Sequence, residues 1–179
     1  MAAWRGYEWW ETKKAVEAGA AFEQAVTLAE AGKHQEAEAA FAKLATDGTA
    51  GYRLLARLRE AAELGRTNRK AAIKAYDEIA ADRSVGQVIQ DLATLRAGIM
   101  LVDSSAYADM RARLEPSTRP DRAFRHSARE LLALSAWKEG DMGAARQWTD
   151  MIITDPQTPS AARSRAEVLS ELIAASGKG

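Results

Sequence analysis

Twice in this chain a glycine is followed five residues later by alanine, then by an aromatic three or four residues on, then by an aliphatic residue. Gly32, Ala37, Phe41 and Leu44 form one set; Gly140, Ala145, Trp148 and Ile152 form the other. Each set lies inside a longer segment of helical period, "AFEQAVTLAEAGKHQEAEAAFAKL" and "ARELLALSAWKEGDMGAARQWTDMI". The spacing fits a helical hairpin. Glycine suits the left-handed position that ends a first helix. A small residue lets the second helix approach closely, and the aromatic fills the space towards the next hairpin. The stretch "ARLREAAELGRTNRKAAIKAYDEIA" repeats the second half of the pattern with Ala72, Tyr76 and Ile79.

Composition agrees with an all-α fold. Alanine fills more than a fifth of the chain, and there are only four prolines; alanine has the highest helix propensity. Punctuation predicts nine helices over about 4–31, 35–45, 50–64, 69–81, 85–102, 105–114, 121–139, 141–154 and 160–175. Gly65 closes the third, and all four prolines fall between helices, where a missing N–H costs least. Val88, Leu92, Leu95 and Ile99 recur at helical spacing and predict the buried stripe of the fifth. Net charge is zero and the pI about 6.8, which argues against a nucleic-acid partner. There is no cysteine, hence no disulfide and no thiolate site. No run of about 18 apolar residues crosses a membrane, and the start "MAAWRGYE" has no apolar signal-peptide core.

The hairpin spacing resembles the tetratricopeptide repeat. By that resemblance Ala25 and Ala133 are the small residues of the first helices, and Ala37, Ala72 and Ala145 those of the second. Where a bulky aromatic is expected early in the first helix, Ala21 and Arg129 stand instead. The expected fold is a right-handed superhelix of antiparallel helix pairs, four pairs and a C-terminal capping helix, in a single domain over residues 15–179. The segments "WRGYEWWETKKAVEAGAAFEQA", "FAKLATDGTAGYRLLARLREAAEL" and "RHSARELLALSAWKEGDMGAARQWTDMIITDPQTP" are similar to the tetratricopeptide repeat-like family of bacterial inner-membrane proteins that includes the ancillary subunit of the SecYEG translocon. The resemblance implies a periplasmic, non-enzymatic protein-binding domain of a single-pass protein, with the Sec translocon or periplasmic chaperones and their clients as partners. It also implies that this chain is the soluble fragment following the membrane helix.

Residues 1–14 then read as an aromatic juxtamembrane start. Trp4, Tyr7 and Trp10 share one broad face of a helical wheel and Trp9 lies on the other side, so aromatics surround the helix as they do at a membrane–water interface. The competing reading packs them on the repeat domain or on a second copy, making the chain a soluble scaffold that self-associates as a homodimer through its first helix.

No catalytic residue, metal ligand set or cofactor motif is present. His34 reads as a solvated turn residue. His126 beside Ser127 lacks any accompanying oxyanion motif, and the carboxylates scatter on helix faces. Arg119, Arg122, Arg125 and Arg129, in the stretch "RARLEPSTRPDRAFRHSARE", form a candidate basic patch for an acidic partner or lipid head groups, against the plainer reading of a solvated loop and helix face. Carried over from tetratricopeptide repeats, Phe22, Val26, Glu130, Leu134 and Trp137 would face a partner groove. For Trp137, burial between helices is the equal alternative.

Overall fold

The computed structural model describes residues 2–176, with side chains at all of these except positions 2, 3 and 5–7. Nine α-helices and two 3₁₀ turns, with no strand, make up the regular structure of the described residues. The chain divides into two compact units, Met1–Val85 and Gly86–Gly179.

The first unit holds α1 (Ala2–Glu30), α2 (His34–Asp47), α3 (Ala50–Thr67) and α4 (Arg69–Ala81), each packed on the next. Its core joins Ala18, Ala25, Ala37, Phe41, Leu44 and Ala56, with Phe22 and Tyr52 against them. The Phe22 ring meets Phe41 edge-on at 5.4 Å and Tyr52 at 5.8 Å, distances at which aromatic pairs add to their burial.

The second unit holds α5 (Gln87–Leu101), α6 (Tyr107–Leu114), α7 (Arg125–Lys138), α8 (Met142–Ile153) and α9 (Ser160–Ser176). Leu95, Met110, Leu114, Leu132, Ala133, Ala136, Trp148, Leu169 and Ile173 belong to its core. The Trp148 indole N–H donates to the Tyr107 hydroxyl at 2.8 Å, tying α6 to the α7–α8 hairpin.

Both glycine turns close in the same way. Gly32 and Gly140 have φ of 75° and 82°. The Lys33 N–H donates to Leu28 O and the Gly32 N–H to Ala29 O, at 2.9 and 3.0 Å; Asp141 to Ala136 O and Gly140 to Trp137 O repeat both bonds at the same lengths. These paired bonds satisfy carbonyls that a helix end leaves over, and they need a residue at ease in the left-handed region.

Three local expectations fail. α3 runs through Gly65 to Thr67, because Asn68 supplies the boundary: its N–H donates to Leu64 O, and its side chain caps α4 by accepting from the Ala71 N–H at 3.1 Å. α7 starts at Arg125 rather than Asp121. On α5, Val88 and Ile99 are exposed, while Asp91, Ala93, Leu95, Ala97 and Gly98 are buried. The helix is turned because Gly98 lets Leu114 approach to within 3.1 Å of where a Cβ would stand, and because Gln87 and Ser117 hydrogen-bond the inward Asp91.

Candidate interaction surfaces

Ala25, Ala37, Phe41, Ala72, Ala133 and Ala145 are fully buried, and Tyr76 and Trp148 nearly so. Each sits on the inner face of its helix, where small residue and ring alternate as the hairpin spacing requires. The five candidate groove residues are partly buried. Phe22 and Val26 pack on the core of the first unit. Leu134 and Trp137 pack on that of the second. Glu130 takes a bidentate pair from Arg165 of α9 at 2.6 and 2.9 Å, and the Trp137 N–H reaches the Ser176 hydroxyl. On α7 the face assigned to a partner is therefore engaged by α9, since the next helix in a stack packs on the first helix of the preceding pair.

The arginines do not form an open basic patch. Arg119 is exposed and pairs with Asp121, but Arg122 turns in towards the buried Asp91, 3.5 Å away. Arg125 and Arg129 converge on Asp155 at the end of α8. Arg125 Nε donates to Asp155 Oδ2 at 3.0 Å, Arg129 at 3.1 Å, and His126 Nε2 lies 3.0 Å from the same oxygen. Arg129, 4% exposed, also donates to Thr118 O and Met151 O. Arg125, then His126 and the Gln157 N–H, hold the Asp155 carboxyl well below the usual carboxylate range. The reason these cations face inward is a carboxylate far away in sequence, which no local charge pattern reveals.

The equivalent corner of the first unit is built differently. Measured from the glycine turns, Asp47 corresponds to Asp155, and Glu17, Ala18 and Ala21 to Arg125, His126 and Arg129. Nothing basic stands at those three positions. A groove of about 610 Å³ runs here between α1 and α2, with Ala18, Ala21, Leu28, Ala40 and Leu44 along it and Lys14, Glu17, Lys43 and Asp47 at its edges.

Beyond this groove the start of α1 is bare. Trp4, Trp9 and Trp10 are 68%, 65% and 48% exposed, and Ala18 is the first buried side chain among those described. Trp4 donates to Glu8, and the Lys13 and Lys14 ammoniums lie over the Trp9 and Trp10 rings at 5.4 and 3.9 Å. The Tyr7 side chain, expected among these aromatics, lies outside the described residues.

Neither histidine makes a reactive centre. His34 Nδ1 is 2.8 Å from the buried Glu63 of α3, an anchor rather than the solvated turn residue expected. Beside His126 there is a pocket of about 230 Å³, but its nearest acid, Asp155, is already shared with two arginines. Among the described residues no group of three or more histidines and carboxylates could hold a metal ion, and no helix is long and apolar enough to cross a membrane.

Stacked hairpins with matching glycine turns, alanine contacts and inward rings define a helical-repeat scaffold. Residues 1–153 match the tetratricopeptide repeat-like domain, and the chain belongs to that family. The match ends with α8, leaving α9 outside it. No curated protein and no solved structure matches the chain. Domains of this kind are in general protein-binding scaffolds rather than enzymes, and the chain is accordingly a protein-interaction module.

Proposed function

We propose that this interaction module works at a membrane, with the start of α1 in the lipid interface and the hairpins receiving protein partners. The observation that carries the reading is the bare aromatic girth of α1. Trp4, Trp9 and Trp10 point about 100° or more away from one another round the helix, and all three are exposed. A helix docking on a protein needs one such stripe; a helix entering the headgroup region can use rings on every side, with lysines reaching outward. The similarity to bacterial inner-membrane proteins supports a single-pass protein with this domain in the periplasm, serving the Sec translocon or periplasmic chaperones and their clients.

Tryptophan emission tests the membrane contact. Vesicles of phosphatidylethanolamine and phosphatidylglycerol should shift the emission of the chain to the blue, and serine at positions 4, 9 and 10 together should abolish the shift. Emission indifferent to vesicles overturns the contact. In-cell crosslinking of the full-length protein should capture translocon subunits or periplasmic chaperones; capture of cytoplasmic proteins alone overturns the location.

A further inference from the structure

Trp4 and every residue from Glu8 to Glu17 are exposed, so α1 stands clear of the core for about 20 Å before Ala18 is reached. Round this rod the rings of Trp4, Trp9 and Trp10 are spread almost evenly, at about 0°, 140° and 240°. No half of the circumference holds all three. A helix lying along a membrane surface gathers its apolar side chains on one face; this one would always leave a ring pointing away from the lipid.

Each ring also has a charged neighbour four residues further on. The Trp4 N–H donates to Glu8 at 2.6 Å, the Lys13 ammonium lies 5.4 Å from the Trp9 ring, and that of Lys14 lies 3.9 Å from the Trp10 ring. Four residues rise about 6 Å, close to the roughly 5–8 Å that the headgroup layer adds on each side of the hydrocarbon. Rings first and ammoniums one turn behind is the order met on leaving a bilayer: the acyl boundary, then the phosphates. An exposed ring holds a lysine only weakly, so both ammoniums are available to phosphate oxygens. The charges of residues 4–17 cancel, Arg5, Lys13 and Lys14 against Glu8, Glu11 and Glu17, which removes the net attraction that a polybasic segment has for an anionic surface.

Resting on the lipid contact proposed above, we infer that α1 enters the interface end-on, with Trp4 innermost and Lys13 and Lys14 level with the phospholipid phosphates, and that the phosphate itself, rather than an anionic headgroup, is the ligand. Trp9 and Trp10 then lie at one level just inside the phosphates, on different sides of the rod. Glu8 and Glu11 stop the segment short of the hydrocarbon core, and Glu8 satisfies the Trp4 N–H as that ring goes in.

Vesicles of brominated phosphatidylcholine test the entry on the full chain. Three variants each keep one of Trp4, Trp9 and Trp10 and carry phenylalanine at the other two; a fourth, with phenylalanine at all three, gives the emission of Trp137 and Trp148 to subtract. All three retained rings should be quenched, Trp4 most by bromines far along the acyl chain, Trp9 and Trp10 alike and most by bromines near the headgroup. One ring spared, or Trp4 no deeper than the others, overturns end-on entry while leaving the lipid contact standing; no ring quenched overturns both. Binding to phosphatidylcholine alone should match binding to vesicles containing phosphatidylglycerol within about twofold, and Lys13→Gln with Lys14→Gln should weaken the former about threefold or more. A larger gain from phosphatidylglycerol, or glutamine variants that bind phosphatidylcholine as wild type does, overturns the phosphate assignment.

Discussion

Arg129 stands where the repeat pattern calls for an aromatic ring, and it still fills the space. Its guanidinium satisfies Thr118 O, Met151 O and Asp155, so the side chain works as a bolt between the turn before α7 and the end of α8. Arg129→Met keeps the stem but leaves two carbonyls without their donor. It should cost about 3 kcal/mol, read from urea unfolding. Asp82 makes a second, half-buried tie: the Ser84 hydroxyl, then Arg57 of α3 and the Ser84 N–H, lower its pKa to about 2 from an ordinary 3.8. A folded-state value below the unfolded one contributes stability above about pH 4 that disappears as the pH falls towards about 2. Thermal midpoints should therefore drop less between about pH 5 and pH 2 in Asp82→Asn than in wild type, with the variant already the less stable at pH 5.

The helical hairpin is the element whose design was most readable. Its two glycines have nothing within 4 Å of an added Cβ, so Gly32→Ala or Gly140→Ala meets only the penalty of a left-handed backbone. Each should cost about 1 kcal/mol in thermal unfolding without altering helix content. The alanine–aromatic spacing could be read in sequence because it is local: one turn, one period, one inner face. Ala37 with Phe41, Ala72 with Tyr76, and Ala145 with Trp148 all lie inside single helices. What could not be read depends on partners far along the chain. The inward turn of α5 needs Ser117, Arg122 and Leu114; the burial of Arg125 and Arg129 needs Asp155; the anchoring of His34 needs Glu63, 29 residues away. A run of arginines carries the same local signal whether it faces water or a carboxylate, which is why the candidate patch was legible as charge but not as packing. The bare start of α1 was legible as aromatic excess, whereas the groove behind it shows only when α2 is laid alongside.

At the level of the whole molecule, each of the two compact units has its own buried cluster. The hydrogen bonds and ion pairs described for Asp155, Asp91, Tyr107 and Glu130 all lie within residues 86–179. A fragment of those residues should keep helical circular dichroism and a cooperative melt; a non-cooperative melt would show that its core needs the first unit. The two hairpins also differ in how freely their sequences can drift. Around Asp155, four side chains depend on one another, and a change in any one strands the rest, so that corner can alter only by coordinated steps. Around Asp47 the equivalent corner is looser: Ala18 is part of the core, but Glu17 and Asp47 are exposed, and single substitutions at those two can change the surface with little folding penalty. One hairpin of the pair is thus committed to holding the chain together, while its twin remains open to acquiring new specificity.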